Sequence, residues 1–299
     1  MKNEKNRYYI LMTMLVFVWG LDYIIAKLAL NTLEPLILIF FKYLASFVLI
    51  AGIKIKTDGM RMARKKDIGL FVLSILAGEI IYYYCEYKAM DYLPVSLLAI
   101  ITAFVPAVSV MIERVLYKKK ANRKIIIGIM VCIFGIALII GVDFDDLLSG
   151  KLIGYLLAFG CICAWNAYNF ITAALNDRYT PATLALNQII GTLLFLSPVI
   201  IHSIPDLPVF TPTLIAQIVF LGFFNSGIGF LIMVRALYVL GPTATVLFSE
   251  FTPVVTTFFG WLILKEAISP IQMAGGAIVI LAGYIVIKEK GKVEELSVE

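Results

Sequence analysis

The sequence predicts an all-α integral membrane protein of about ten transmembrane helices, built as two inverted copies of one five-helix unit. Three observations carry that prediction. Of the 299 residues, 61% are hydrophobic and only 15% are charged, against roughly 45–50% apolar residues in soluble domains. The apolar residues form continuous runs of the length needed to cross a hydrocarbon core about 30 Å thick at about 1.5 Å per helical residue. Marker residues also recur at a nearly constant offset between the two halves, as duplication requires.

The runs fall at about 8–30, 35–53, 68–90, 94–113, 124–141, 151–173, 181–201, 213–239, 242–264 and 270–287. They lack the period-two alternation of barrel strands. Backbone in lipid must also satisfy its own hydrogen bonds, which a helix does within one segment. The runs are separated at Glu34-Pro35, Asp91 to Pro94, Thr180-Pro181, Gly241-Pro242 and Ser269-Pro270, combinations that end helices. The first run, from Tyr8 to about Leu30, is too long for a signal-peptide core and has no small-residue cleavage site after it, so it reads as a retained helix.

Charge sets the orientation. Segments 54–66 and 114–124 hold six basic residues each, and the N-terminus and the tail from Lys288 hold three each. With ten spans these four segments and Arg178 share one side, which collects 19 of the 25 basic residues. The opposite loops carry Glu34, Asp91, Asp143, Asp145, Asp146 and Asp206. The positive-inside rule then places both termini in the cytoplasm and the chain in the cytoplasmic membrane. The net charge of +5 is thereby explained by loops, without a nucleic-acid partner.

Trp19 and Trp165 lie 146 residues apart, as do Pro35 and Pro181. Ala89 and Ala236, Lys88 and Arg235, and Pro106 and Pro253 lie 147 apart. Pro94 and Pro242, Gly128 and Gly276, and Gly135 and Gly283 lie 148 apart. The units are residues 1–143 and 144–287, followed by a cytoplasmic tail, 288–299. Five helices is an odd number, so the second copy enters the membrane from the other face. Such inverted repeats are typical of secondary transporters, with the site near the midplane between the repeats.

Cys85, Cys132, Cys161 and Cys163 all lie in apolar runs without metal-ligand or CxxC spacing, and His202 is the only histidine. Neither a disulfide framework nor a metal site is expected, and no cofactor. HExxH, GxSxG and a buried histidine are all missing from the sequence. An intramembrane enzyme is therefore a remote alternative.

A charge at mid-helix costs roughly 2.5–3.5 kcal/mol on insertion scales, so such residues face a cavity or a partner. The deep ones are Asp22, Lys42, Glu79 and Glu250. Lys27, Glu86, Lys88 and Arg235 lie nearer helix ends, where long side chains reach the interface. Asp22 shares a face with Trp19, beside Tyr23. Glu79, Tyr83 and Glu86 follow helical spacing with Tyr82 adjoining, and Trp165 and Asn169 do the same beside Tyr168. The expected binding set is therefore Trp19, Asp22, Tyr23, Lys42, Glu79, Tyr82, Tyr83, Trp165, Tyr168, Asn169 and Glu250. Lys42 can alternatively pair with Asp22 or Glu79 and lock two helices. An acidic, aromatic pocket suits an amine through ion pairing and cation–π attraction, and Lys42 beside it suits a carboxylate. Glu79 and Glu250 are the candidates for carrying a coupling proton. Pro106 and Pro253 should kink their helices, and the paired glycines allow close helix contact within a monomer or between the copies of a homodimer.

Beyond these features, the sequence resembles the EamA branch of the drug/metabolite transporter superfamily. The resemblance rests on Trp19-Gly20 with Asp22 and Lys27, on Lys42, and on the segment Ala89 to Pro94. It is clearest at Pro253, Gly260-Trp261, Glu266, Gly275-Gly276 and Gly283. In the first half Lys119 stands where the motif's glutamate would fall, and Asn166 where glycine would follow Trp165. The resemblance implies ten helices, alternating access and export of a small metabolite in contact with the lipid bilayer. With the pocket chemistry, it favours an amino acid or another amine-bearing solute. The alternative is a proton-coupled transporter of organic cations or drugs.

Overall fold

The computed structural model describes residues 2–57, 62–117, 122–140, 151–176 and 178–296. They are helical almost throughout, and no strand occurs among them. We number the long helices in chain order. Helix α1 is Lys2–Leu30 and α2 is Pro35–Thr57. Helix α3 joins Ile68–Ser74, a wide π-helical stretch Ile75–Ile81, and Tyr82–Ala89. Helix α4 comprises Val95–Thr102 and Val105–Tyr117, and α5 is Arg123–Ile140. In the second half, α6 is Lys151–Asn176 and α7 is Pro181–Ser203. Helix α8 runs through Pro212–Val219, the π-helical Phe220–Gly229, and Phe230–Leu240. Helix α9 comprises Pro242–Ser249, Thr252–Phe259 and Gly260–Leu264, and α10 is Pro270–Leu296. Nine of these stretches are long and apolar enough to cross a membrane among the described residues, and α5 adds a further helix of 18 residues. The acidic loop containing Asp143, Asp145 and Asp146, the boundary at 143/144 and Lys119 lie outside the described residues.

Local chemistry explains the ends. Thr180 and Thr211 accept hydrogen bonds from the backbone of Thr183 and Leu214, with Pro181 and Pro212 at the first helical positions. Gly241, between α8 and α9, has φ +87°, a conformation open to glycine at little cost. The start of α4 is capped from the far half of the chain. Glu266 accepts hydrogen bonds from the backbone N–H of Val95 (2.7 Å) and Ser96 (3.0 Å) and from the Ser96 hydroxyl (2.6 Å). A carboxylate at a helix N-terminus satisfies orphan donors and meets the positive end of the dipole.

The irregularities recur in both halves. Helix α4 breaks at Ala103–Phe104 and α9 at Glu250–Phe251, with tight backbone bonds from Phe104 to Ile101 (3.0 Å) and from Phe251 to Phe248 (3.1 Å). Pro106 and Pro253 stand two residues after Phe104 and Phe251. Each lacks an N–H, and its ring would clash with the carbonyl four residues back, so the helix yields just before it. Helix α10 differs from the sequence expectation by continuing to Leu296, past the end of the apolar run. Its Lys290 pairs with Glu113 of α4 at 2.7 Å. Apolarity marks where a membrane ends, whereas charged helix formers can extend the helix beyond it.

The packing crosses between the halves. Helix α2 packs on α7, α4 on α9, α5 on α10, α3 on α6, and α1 on α8. Exchanging the halves maps this set onto itself. Gly128 lies against Val286 and Ala282, and Gly135 against Val279 and Gly275, so these glycines form the α5–α10 seam inside the chain. Gly276 meets Ile100 of α4. Gly128, Gly135 and Gly276 are thus packed within one chain. Outward faces are apolar, as lipid requires: Ile127, Met130 and Phe134 of α5 are exposed, and Trp261 is 62% exposed.

Candidate functional site

The polar core is organised by α3. Its π-helical stretch carries Glu79, and the α-helical turns after it present Tyr82, Tyr83, Glu86 and Tyr87. A π-bulge re-aims side chains and is frequent at functional sites. Facing them, Lys42 of α2 is fully buried. Its Nζ lies 3.5 Å from the centre of the Tyr83 ring and 5.9 Å from that of Tyr87, and it donates to the Tyr87 hydroxyl at 3.4 Å. The direct ion pair with Asp22 or Glu79 that the sequence allows does not occur among the described residues. The ammonium instead sits on aromatic faces, close enough to Asp22, Glu86 and Glu79 to feel their charge.

Each carboxylate has its own donor. Asp22, 5% exposed, accepts from Asn225 of α8 at 2.5 Å. Glu79 accepts from the Tyr43 hydroxyl. Glu86, 2% exposed, accepts from Tyr82 at 2.9 Å. Tyr23 is buried, and its hydroxyl shares a hydrogen bond with Thr102 (3.2 Å). An aromatic wall runs from Tyr43 through Tyr83 and Tyr82 to Trp165, with ring centres 6.1, 4.8 and 4.9 Å apart. It continues to Tyr168, stacked on Trp165 at 5.1 Å. Tyr168 donates to Gln188 of α7 (3.4 Å), and its ring lies against the backbone of α3 where Gly78 has no side chain. Tyr168 and Gln188 stand 146 residues after Asp22 and Lys42. The second half thus supplies neutral groups where the first supplies charges.

The structure therefore brings together Asp22, Tyr23, Lys42, Glu79, Tyr82, Tyr83, Trp165 and Tyr168. Three other expected residues stand elsewhere. Trp19 packs on an apolar cluster of Met12, Leu15 and Ala236 between α1 and α8. Asn169 is exposed, and the buried asparagine of α6 is Asn166, which donates to the Ile162 carbonyl at 2.9 Å. Trp165 sits at the edge of the buried face, so one turn on from it the helix points outward. Glu250 lies at the α9 break, where no charged group of the cluster acts on it.

Four residues of the cluster were not in the sequence-based set: Tyr43, Glu86, Tyr87 and Asn225. Nearness to a helix end points Glu86 to the interface, but its own side chain is buried and so are Met90 (2% exposed) and Leu93 (3%) beside it. Lys27 closes it by donating to the Met90 carbonyl at 2.6 Å. Asn225 carried a signal, a polar residue among Gly222, Gly227 and Gly229. An apolar depression of about 630 Å³ between α4, α5 and α6, lined by residues such as Phe104, Met111, Ile133 and Phe159, is separate from this cluster.

The sequence model of the EamA-like transporter family matches the chain twice, over residues 6–141 and 152–288. An uncharacterized transporter of Archaeoglobus fulgidus is 23% identical over 282 residues, covering 94% of this chain and 99% of that protein. A probable amino-acid metabolite efflux pump of Escherichia coli is 23% identical over 296 residues, covering 92% of this chain and 93% of its own. A solved crystal structure aligns over 93% of this chain and 98% of its own with a TM-score of 0.61. At 17% identity that likeness speaks to the fold alone.

Proposed function

Since the chain belongs to the EamA-like transporter family, and is thus a multi-pass helical membrane transporter, we propose that it exports a small amine-bearing solute, foremost an amino acid, across the cytoplasmic membrane. One observation carries the choice of solute. Two buried carboxylates, Asp22 and Glu86, and the half-buried Glu79 lie around the one lysine of the cluster, the fully buried Lys42, beside an aromatic wall. Buried charge of one sign needs a counter-charge, and the surplus here is negative. A cationic amine brought against Tyr82, Tyr83 and Trp165 supplies that charge and gains cation–π attraction. Lys42 is the group available to a solute carboxylate, which favours a zwitterion. The similarity to a probable amino-acid metabolite efflux pump of Escherichia coli supports both an amino acid and outward movement.

The proposed mechanism is alternating access between two inverted five-helix repeats, about 1–143 and 144–287. The double family match and the exchange-symmetric helix pairing support it. The distribution of basic residues supports both termini lying in the cytoplasm. The surplus of acid equally supports the second reading, proton-coupled export of organic cations, in which Glu79 releases its proton to admit the cation.

Purified protein in liposomes should take up radiolabelled amino acids or amines against an unlabelled internal pool. Glu79→Gln and Glu86→Gln should each reduce that flux at least 10-fold. Flux of none of these solutes would overturn the solute class, and normal flux in both variants would overturn the site.

A further inference from the structure

Glu250 is a buried acid that the solute cluster does not use. It is 7% exposed in the turn where α9 breaks, and its Oε2 has no hydrogen-bond partner. The hydroxyl of Thr252, two residues on, is likewise buried without a partner. An ionised carboxylate left in that state is costly, and binding a proton neutralises it.

The break itself does not require an acid. Ala103 occupies the matching place in α4, 147 residues earlier, and α4 breaks there in the same way. Space has also been left for the carboxyl. A Cβ on Gly283 of α10 would lie 3.0 Å from Glu250 Oε2 and 3.6 Å from the Ala103 carbonyl oxygen, so glycine there opens the gap between the two helix breaks.

Among the described residues, Cys132 of α5 is the titratable group near enough to feel the charge of Glu250, and its thiol donates to the Val279 carbonyl at 3.7 Å. Among the described side chains, the other charges on the helices packed against α9 are engaged elsewhere or, like Lys5 and Arg7 of α1 and Arg114 of α4, exposed. Asp22 is bound by Asn225, Arg235 by Glu4 at 3.3 Å, and Glu266 by the start of α4. On α10, Lys288 lies near the Tyr284 ring and Lys290 pairs with Glu113. The first segment of α4, Val95–Thr102, carries no titratable side chain.

We propose that Glu250 is a proton-binding site separate from the solute site, and that loading and releasing this proton is coupled to hinging of α9 against α4 and α10. The coupling rests on the transporter reading above; the bound proton does not.

Infrared spectroscopy of the full-length protein in lipid at neutral pH reads protonated carboxyl groups directly. Glu250→Gln should remove one protonated-carboxyl signal relative to wild type, and an unchanged signal would overturn the proposal. Should that variant fail to fold, Gly283→Ala serves instead. It presses a methyl on Oε2 and should shift the frequency and pH midpoint of the same signal, whereas an unaltered signal overturns the proposal. In liposomes, with leucine and lysine as probes, Glu250→Gln should retain exchange and lose at least 10-fold of the accumulation driven by a pH gradient. Wild-type accumulation in the variant overturns the coupling. A wild type that moves neither probe counts against the transporter reading, while the infrared result still decides the proton site.

Discussion

Replacing Glu266 by alanine removes three hydrogen bonds at once, those from Val95 N–H, Ser96 N–H and the Ser96 hydroxyl at 2.7, 3.0 and 2.6 Å. Loss of a helix cap costs about 1 kcal/mol, and a hydrogen bond to a charged group contributes roughly 1.5–3 kcal/mol net. The backbone donors regain water at this partly exposed site, so the expected loss is about 2–3 kcal/mol. Glu266→Gln keeps an acceptor without the charge and should lose about half as much. Ser96→Ala should lose about 1 kcal/mol, and the double variant should show coupling of about 1 kcal/mol, because the hydroxyl bond needs both partners. Reversible denaturant unfolding in mixed micelles measures all four. A Glu266→Ala protein within about 0.5 kcal/mol of wild type would refute the cap, as would additive single variants.

Further outcomes follow from the same contacts. Gly78→Ala places a methyl into the Tyr168 ring; it should destabilise by about 1–3 kcal/mol and weaken solute binding, read by unfolding and by solute-dependent stabilisation. Asn225→Leu strips Asp22 of its donor and should cost about 1–3 kcal/mol for the unsatisfied acceptor, with Asp22→Asn in the same chain recovering part of it. Arg178→Ala removes the partner of Asp67, which is buried in the structure and also bound by Tyr179 at 2.8 Å. Its melting temperature should fall, and Asp67→Asn should restore it; a double variant no more stable than the single one would contradict the pairing.

Much of this architecture was legible because lipid imposes long apolar runs and local rules end them. Gly241-Pro242 split α8 from α9 where hydropathy alone barely dips, since the turn needs positive φ. The π-helical stretches were not legible, because a widened turn arises from packing: Gly222 accepts the backbone of α2, and Gly78 accepts a tyrosine ring. In the site, charge at mid-helix marked Asp22, Lys42 and Glu79, since unpaired charge in lipid is rarely idle. Tyr43 and Tyr87 carried no such mark, because a tyrosine in an apolar helix fits packing and interface belts equally well. Glu266 stood out as part of a motif, but its partners lie 170 residues away in sequence, beyond the reach of local pattern. Depth alone groups Glu250 with the other acids, but depth says nothing about direction around the bundle.

Thermal unfolding of the detergent-solubilised protein against matched solutes tests amine recognition most directly, because a ligand at 100 times its Kd stabilises by about 2.7 kcal/mol. Amino acids and primary amines should raise the melting temperature. Carboxylic acids of the same carbon skeleton without the amine should not, and Glu86→Gln should abolish the shift. Equal stabilisation by the deaminated acids, or an undiminished shift in Glu86→Gln, would contradict a site built from Asp22, Glu79 and Glu86 to receive a cation.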